Sequence, residues 1–166
     1  RLGWDSLVRI GCTFSFGHAS WSFTMRDGDG HPIGIRLRRR DGSKWAVRGS
    51  KAGLFYDPQN SAPLLYVLEG PTDTAAAMDI GLFAAGRPSC LGCESMVAQL
   101  VKRLGVKAVV IVSDNDGPGW RGALKLQRGG QQGQAGDHAV SIKTIRRRSQ
   151  DWAKRLRAWA HWACAL

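Results

Sequence analysis

Residues 107–119 read KAVVIVSDNDGPG. Ala108 to Val112 form an unbroken apolar run, the pattern of a strand buried on both faces of a parallel sheet. The run stops at Ser113-Asp114-Asn115-Asp116, and a Gly-rich turn then opens the helical stretch DGPGWRGALKL. Residues 64–70, LLYVLEG, repeat the scheme: a short apolar run, one acid at its end, a glycine, and Pro71 where a first-turn helix proline belongs. TDTAAAMDI then reads as helix up to Gly81. LFAAG at 82–86 reads as a second short strand. Glu94 to Leu104 places Met96, Val97, Leu100, Val101 and Leu104 on one helical face, with Gly105 as the stop. RGGQQGQAGD at 128–137 reads as a flexible loop, HAVSIKTI at 138–145 as a last strand, and Gln150 onward as a last helix. In that tail Trp152, Leu156, Trp159 and Ala163 recur at helical spacing, as in a helix docked on the domain. Strand and helix alternate throughout, which predicts a doubly wound, mostly parallel sheet. No internal repeat is present.

Before residue 64 the texture differs. Residues 21–55 read as antiparallel β structure. WSFTMRD ends at the hairpin signal Asp27-Gly28-Asp29-Gly30. In IGIRLRRR, Ile33, Ile35 and Leu37 alternate with Arg36 and Arg38. A second turn at Asp41-Gly42 leads into KWAV, and RGSKAGLFYDPQNSAP at 48–63 reads as a linker or boundary. The chain therefore divides into a basic, β-rich subdomain at 1–60 and an α/β domain with a C-terminal helix at 61–166.

The 166 residues are 43% hydrophobic and 22% charged, enough apolar material for a core, so a wholly disordered chain is excluded. No run of about 18 apolar residues exists, which excludes a transmembrane helix and a membrane role through one. RLGWDSLVRIGC lacks both an initiator Met and an apolar signal core, so the chain reads as a piece of a longer protein and not as a secretory precursor. The net charge is +11. Residues 36–51 hold seven bases against Asp41, residues 143–157 hold seven against Asp151, and the remainder nets close to neutral. Two basic segments around an acidic middle suit a protein that gathers polyanions onto bound cations, or else form two solvated faces. Cys90 and Cys93 form a single CLGC. No His pair shows ligand spacing, so a turn with small thiols in a reducing cytoplasm stands beside a zinc site.

In doubly wound sheets functional residues lie beyond the carboxyl ends of the strands. Glu69 ends one strand, and Asp114 and Asp116 end another. Asp73 follows Glu69 by one helical turn. Clustered carboxylates without Cys or His suit Mg²⁺, with Mn²⁺ as the alternative ion. Taken singly, Asp116 and Asp73 also fit ordinary helix N-capping.

Leu65-Tyr66-Val67-Leu68-Glu69-Gly70-Pro71-Thr72-Asp73, together with Val112-Ser113-Asp114-Asn115-Asp116-Gly117-Pro118-Gly119, resembles a Toprim domain over about residues 64–157. Bacterial-type primases, type IA and type II topoisomerases, some nucleases and recombination mediators share that domain. The resemblance implies a Toprim-like α/β fold, Glu69 as the acid/base residue, and Mg²⁺ held by Asp114 and Asp116 with Glu69 and Asp73. Asp151 is the nearest match to a later assisting acid. RDGDGHPIGIRLRRRDGSKWAVRGSKAGLF is similar to the stretch before Toprim in bacterial and phage helicase-primases. That similarity implies Lys44, with Arg36, Arg38 and Arg48, on template or nucleotide phosphates. Primer synthesis on single-stranded DNA from NTPs follows as the expected activity. An upstream zinc-binding module and a replicative helicase follow as expected partners, and the cytoplasm as the expected location. The alternatives are Toprim strand cleavage and a non-catalytic DNA-binding module. A topoisomerase would need Tyr56 or Tyr66 as its nucleophile, and the chain has no G-x-x-x-x-G-K-S/T nucleotide loop. Trp45 beside Lys44, and Trp120 after DGPG, are candidates for stacking on a base.

Overall fold

The computed structural model describes residues 2–132 and 141–147. The chain begins with helix α1 (Trp4–Arg9). Four strands follow: β1 (Cys12–Ser15), β2 (Ser20–Arg26), β3 (Pro32–Arg38) and β4 (Lys44–Ala46). They form an antiparallel sheet in the order β1-β2-β3-β4. The predicted hairpins are present, while α1 and β1 gave no sequence signal.

The second sheet has the order β5-β7-β6-β8-β9, from β5 (Phe55–Tyr56), β6 (Leu64–Glu69), β7 (Ala84–Arg87), β8 (Ala108–Asp114) and β9 (Ser141–Arg147). All its pairs are parallel except β5 with β7. Helices α2 (Pro71–Asp79), α3 (Glu94–Leu104) and α4 (Gly117–Gln132) connect the strands. The expected mixed fold, an antiparallel sheet ahead of a mostly parallel doubly wound one, is the fold observed. Among the described residues no helix is long and apolar enough to cross a membrane.

Alternating residues of β6 feed two cores, as the period of two requires. Tyr66 and Leu68 join Ala75, Ala77 and Met78 of α2, and also Ile10, Cys12, Phe23 and Met25 from the N-terminal elements. Leu65 and Val67 join Val97 and Leu100 of α3 and Ala123 and Leu126 of α4. The first core is thus shared by both sheets. Close packing of α2 onto β7 requires a glycine at 86, because a Cβ there would lie 2.7 Å from the Gly70 carbonyl oxygen.

Three expectations need correction. The stretch 48–63 is more than a linker: Leu54, Phe55 and Tyr56 are fully buried, and β5 is an edge strand of the second sheet. Its composition of Gly, Ser and Pro hid three core residues. The LFAAG strand begins two residues later than expected and ends on Arg87, with Leu82 and Phe83 buried ahead of it. Residues 128–132 continue α4 despite two glycines, each worth about 1 kcal/mol against helix. The buried Ala123 and Leu126 hold the preceding turns, and propensity yields to that packing. Of the expected strand HAVSIKTI, residues 141–145 lie in β9, Ser141–Arg147, and residues 138–140 lie outside the described residues. The proposed C-terminal helix, with Trp152 and Trp159, lies outside the described residues.

Phe55 packs edge-on against Phe23 with ring centroids 6.4 Å apart and sits where the two sheets meet. Phe55→Ala is expected to cost about 3–5 kcal/mol. Urea unfolding followed by circular dichroism should show one transition at lower denaturant. Two separated transitions would mean that the sheets do not share a cooperative core.

Candidate active site

Strands β6, β7 and β8 run parallel, so their carboxyl ends open on one side of the sheet. Glu69 ends β6, Arg87 ends β7 directly opposite it, and Asp114 ends β8. A cleft of about 350 Å³ lies there, with Glu69, Asp114, Asp73, Thr72, Pro88 and Ser89 on one wall. Arg36, Arg38 and Lys44, from the antiparallel sheet, form the other wall, and Phe23 and Phe55 lie at its base. Cross-strand register explains the basic wall. Arg38 stands opposite Lys44, and Arg36 opposite Phe23, so all share the face turned toward the second sheet. Arg38 reaches across and donates from Nη1 to Thr72 Oγ1 at 3.5 Å.

Burial raises the pKa of Glu69, and the neighbouring Asp114 charge raises it further. Arg87 and a main-chain hydrogen bond from Asp114 oppose that rise, while Asp116 adds to it. Glu69 Oε1 is buried and has no hydrogen-bond partner among the described residues. Arg87 is 1% exposed. Its Nε and Nη1 likewise lack partners there, and desolvation lowers its pKa against the charges of Glu69 and Glu94. The sequence reading missed Arg87. Its one visible signal was a lone cation at the end of an apolar strand in the acidic middle of the chain.

The expected site residues divide. Glu69, Asp73, Asp114, Arg36, Arg38 and Lys44 line one cleft. Asp116 is exposed beyond β8, outside that lining, and accepts the Gly119 N–H at 2.7 Å as the N-cap of α4. Arg48 is exposed after β4, also outside the lining. Asp151 lies outside the described residues. Trp45 pairs with Leu37, on the sheet face away from the cleft, with the Arg39 guanidinium carbon 4.8 Å from its ring centroid. Trp120 is half-buried in the first turn of α4. Cys90 and Cys93 are half-buried free thiols, and burial raises the pKa of Cys93.

Among the described residues, the group of three metal-type ligands with atoms within 4.8 Å of one another is Asp27, Asp29 and His31. That group closes the β2–β3 turn, where Asp27 Oδ1 accepts the N–H groups of Asp29 and His31. Glu69, Asp73 and Asp114 do not form such a group. Their donor set nonetheless fits a divalent cation. Glu69, Asp73 and Asp114 offer hard oxygens to one space, and a buried carboxylate oxygen there lacks a donor.

The raised pKa of Glu69 carries a sign. The folded chain holds this proton more tightly than the unfolded chain, so the stability tied to it is full at acid pH and is lost as pH rises through the elevated pKa. In metal-free buffer Glu69→Gln should therefore melt above the wild type at about pH 7–8. The difference should vanish near about pH 4. Thermal melts across that range test it. A wild type at least as stable as the variant at neutral pH would overturn the burial assigned to Glu69.

No protein-family model matches the chain, and no curated protein matches it by sequence. Solved structures do match. One is the DnaG catalytic core, at a TM-score of 0.67 and 16% identity, covering 98% of this chain and 68% of that one. The bacteriophage T7 primase domains, solved with an RNA/DNA hybrid and dTTP, match at a TM-score of 0.68 and 13% identity, covering 96% and 87%. The E. coli primase catalytic core matches at 0.58 and 16%, covering 93% of this chain and 55% of that one, so the chain spans about half the length of that core. With its basic antiparallel sheet facing the carboxyl ends of a mostly parallel sheet, this chain has the fold of the bacterial and phage primase catalytic core.

Proposed function

We propose that this chain is the RNA-polymerising part of a primase, which joins nucleotides on a single-stranded DNA template. The observation that carries this reading is the composite cleft. Glu69, Asp73 and Asp114 from one sheet face Arg36, Arg38 and Lys44 from the other, in the fold of primase cores.

The chemistry is nucleotidyl transfer: a primer 3′-hydroxyl attacks an α-phosphate and pyrophosphate leaves. Bound Mg²⁺, or Mn²⁺, would supply Lewis-acid stabilisation of the charge on the reacting phosphate, with Glu69, Asp73, Asp114 and Asp116 as its holders. Glu69 accepts the hydroxyl proton on a carboxylate whose raised pKa brings it closer to neutrality. Arg36, Arg38 and Lys44 hold template or nucleotide phosphates against the acidic wall, and Arg48 extends that track. Arg87 balances the buried charge of Glu69 from beneath the cleft. The bacterial primase domain solved with single-stranded DNA supports the template assignment by analogy. A structure pairing a zinc-binding domain with the RNA polymerase domain supports an upstream zinc module in the same way. A helicase partner extends the likeness to the primase fragment of a phage primase-helicase.

The geometry disfavours a topoisomerase. Tyr56 and Tyr66 are 0% and 1% exposed, and the Tyr56 hydroxyl donates to the Asp27 carbonyl at 2.8 Å. Neither phenol is placed to attack DNA.

Incubation with labelled NTPs, Mg²⁺ and a single-stranded template should yield short RNA. Cut DNA would indicate a nuclease, and no product would favour a binding module. Glu69→Gln is expected to lower dinucleotide synthesis by about 10²–10⁴-fold with template affinity kept. Asp114→Asn should weaken Mg²⁺ binding in calorimetry, and unchanged metal affinity would overturn its assignment. Joint replacement of Arg36, Arg38 and Lys44 should flatten the salt dependence of single-stranded DNA binding by about 2 log–log units, at about 0.7 per lost phosphate contact. A wild-type slope would make the run a solvated face.

A further inference from the structure

Trp4, Phe14, Phe16 and Trp21 are 55%, 41%, 87% and 40% exposed. They nevertheless form one continuous cluster. Trp21 meets Trp4 at 5.8 Å and Phe14 at 5.2 Å between ring centroids, and Phe14 meets Phe16 at 5.2 Å, all edge-to-face. Exposed apolar groups on this scale mark a binding surface more often than a scatter of single residues does.

The cluster's position identifies its occupant. Residues directly opposite in an antiparallel sheet share a face. Phe14 stands opposite Trp21, Trp21 opposite Arg38, and Arg38 opposite Lys44. A single row thus crosses all four strands, over about 14 Å at the usual strand spacing. Its Arg38–Lys44 end lines the carboxylate cleft, and its Phe14–Trp21 end is the aromatic cluster. Phosphate-binding cations that grade into exposed rings on one surface are the two elements of a single-strand site. The cations track the backbone, and the rings stack bases of any sequence. A protein partner would match the rings but would also have to neutralise the cations beside them.

We infer that Trp21 and Phe14, flanked by Trp4 and Phe16, form a base-stacking platform for a single nucleic-acid strand that runs from the cleft across the antiparallel sheet. The proposal rests on the primase reading for which strand is held, while the stacking itself is independent of any catalysis.

The test uses metal-free buffer and fluorescence anisotropy. The probes are a labelled single-stranded DNA oligonucleotide and the same length made of abasic sites, which keeps the phosphates and removes the bases. Wild-type protein should bind the base-bearing strand more tightly. Trp21→Ala should weaken that strand by about 5- to 150-fold, the worth of one stacked base, and leave the abasic strand unchanged. Trp21→Phe should retain most of the affinity. Phe14→Ala serves as the second variant should Trp21→Ala fail to fold. Equal losses for both probes, or no loss for either, would overturn the platform. So would a change of oligomeric state in sedimentation with strand affinity unchanged, which would make the rings a protein interface. Primer synthesis is scored separately. A chain that stacks bases but makes no RNA overturns the polymerase reading alone, and a chain that makes RNA with wild-type binding in Trp21→Ala overturns the platform alone.

Discussion

A two-residue strand holds the two sheets in place against each other. Leu54 and Arg26 exchange both main-chain hydrogen bonds, at 2.7 and 2.8 Å, so the end of β2 is tied to the chain just before β5. The next residue, Phe55, pairs with β7 and packs on Phe23 of β2. The same short segment therefore belongs to the edge of the parallel sheet and to the core of the antiparallel one. It adds main-chain hydrogen bonds to the shared core that sets the distance of the basic wall from the carboxylates.

The juxtaposition concentrates charge of both signs around a partly desolvated Glu69. Burial and Asp114 both disfavour the ionised carboxylate, and Arg87 is the compensating group. Arg87 is itself costly to bury, with two guanidinium nitrogens unpartnered among the described residues. Such an arrangement makes a poor structural ion pair. It suits a site whose electrostatics are completed by what binds, since an incoming cation relieves the carboxylates and incoming phosphates relieve the arginines.

The sequence was most legible where local pattern and tertiary role agree. The run Ala108–Asp114 became β8, and Glu94–Leu104 became α3, closed by Gly105 in the left-handed region as its position demanded. Glu69 and Asp114 were readable because each follows an apolar run at a predictable end of a strand. Three kinds of feature were hidden. β5 is too short to show a period. Arg87 depends on strand register that no local pattern encodes. The aromatic row is split between Phe14 and Trp21 on separate strands, and only the pairing of β1 with β2 brings the two together. The opposite failure occurred at Trp45, where proximity in sequence to Lys44 suggested shared function. One residue along a strand turns a side chain to the other face, and Trp45 went with Leu37.

Register is consequently the property on which any function of the basic sheet turns. A slip of one residue between β2 and β3 would send the Arg36 and Arg38 side chains to the opposite face of the sheet. The β2–β3 turn carries the interactions that prevent it. Asp27 closes the turn: its N–H donates to the His31 carbonyl, and its Oδ1 accepts the His31 N–H. The turn is then clamped from outside: Gln99 donates to Asp29 at 2.6 Å, Arg103 Nε to the Gly28 carbonyl at 2.8 Å, and Tyr56 to the Asp27 carbonyl. Gly28 sits so close that a Cβ would lie 2.6 Å from Gln99 Cβ. The acidic turn thus earns a structural explanation, since α3 and β5 grip it and so help to hold the register in which the adjoining β3 presents its arginines. A polar turn at one end of β3 thus bears on the chemistry of the cleft at the other end through the period of two.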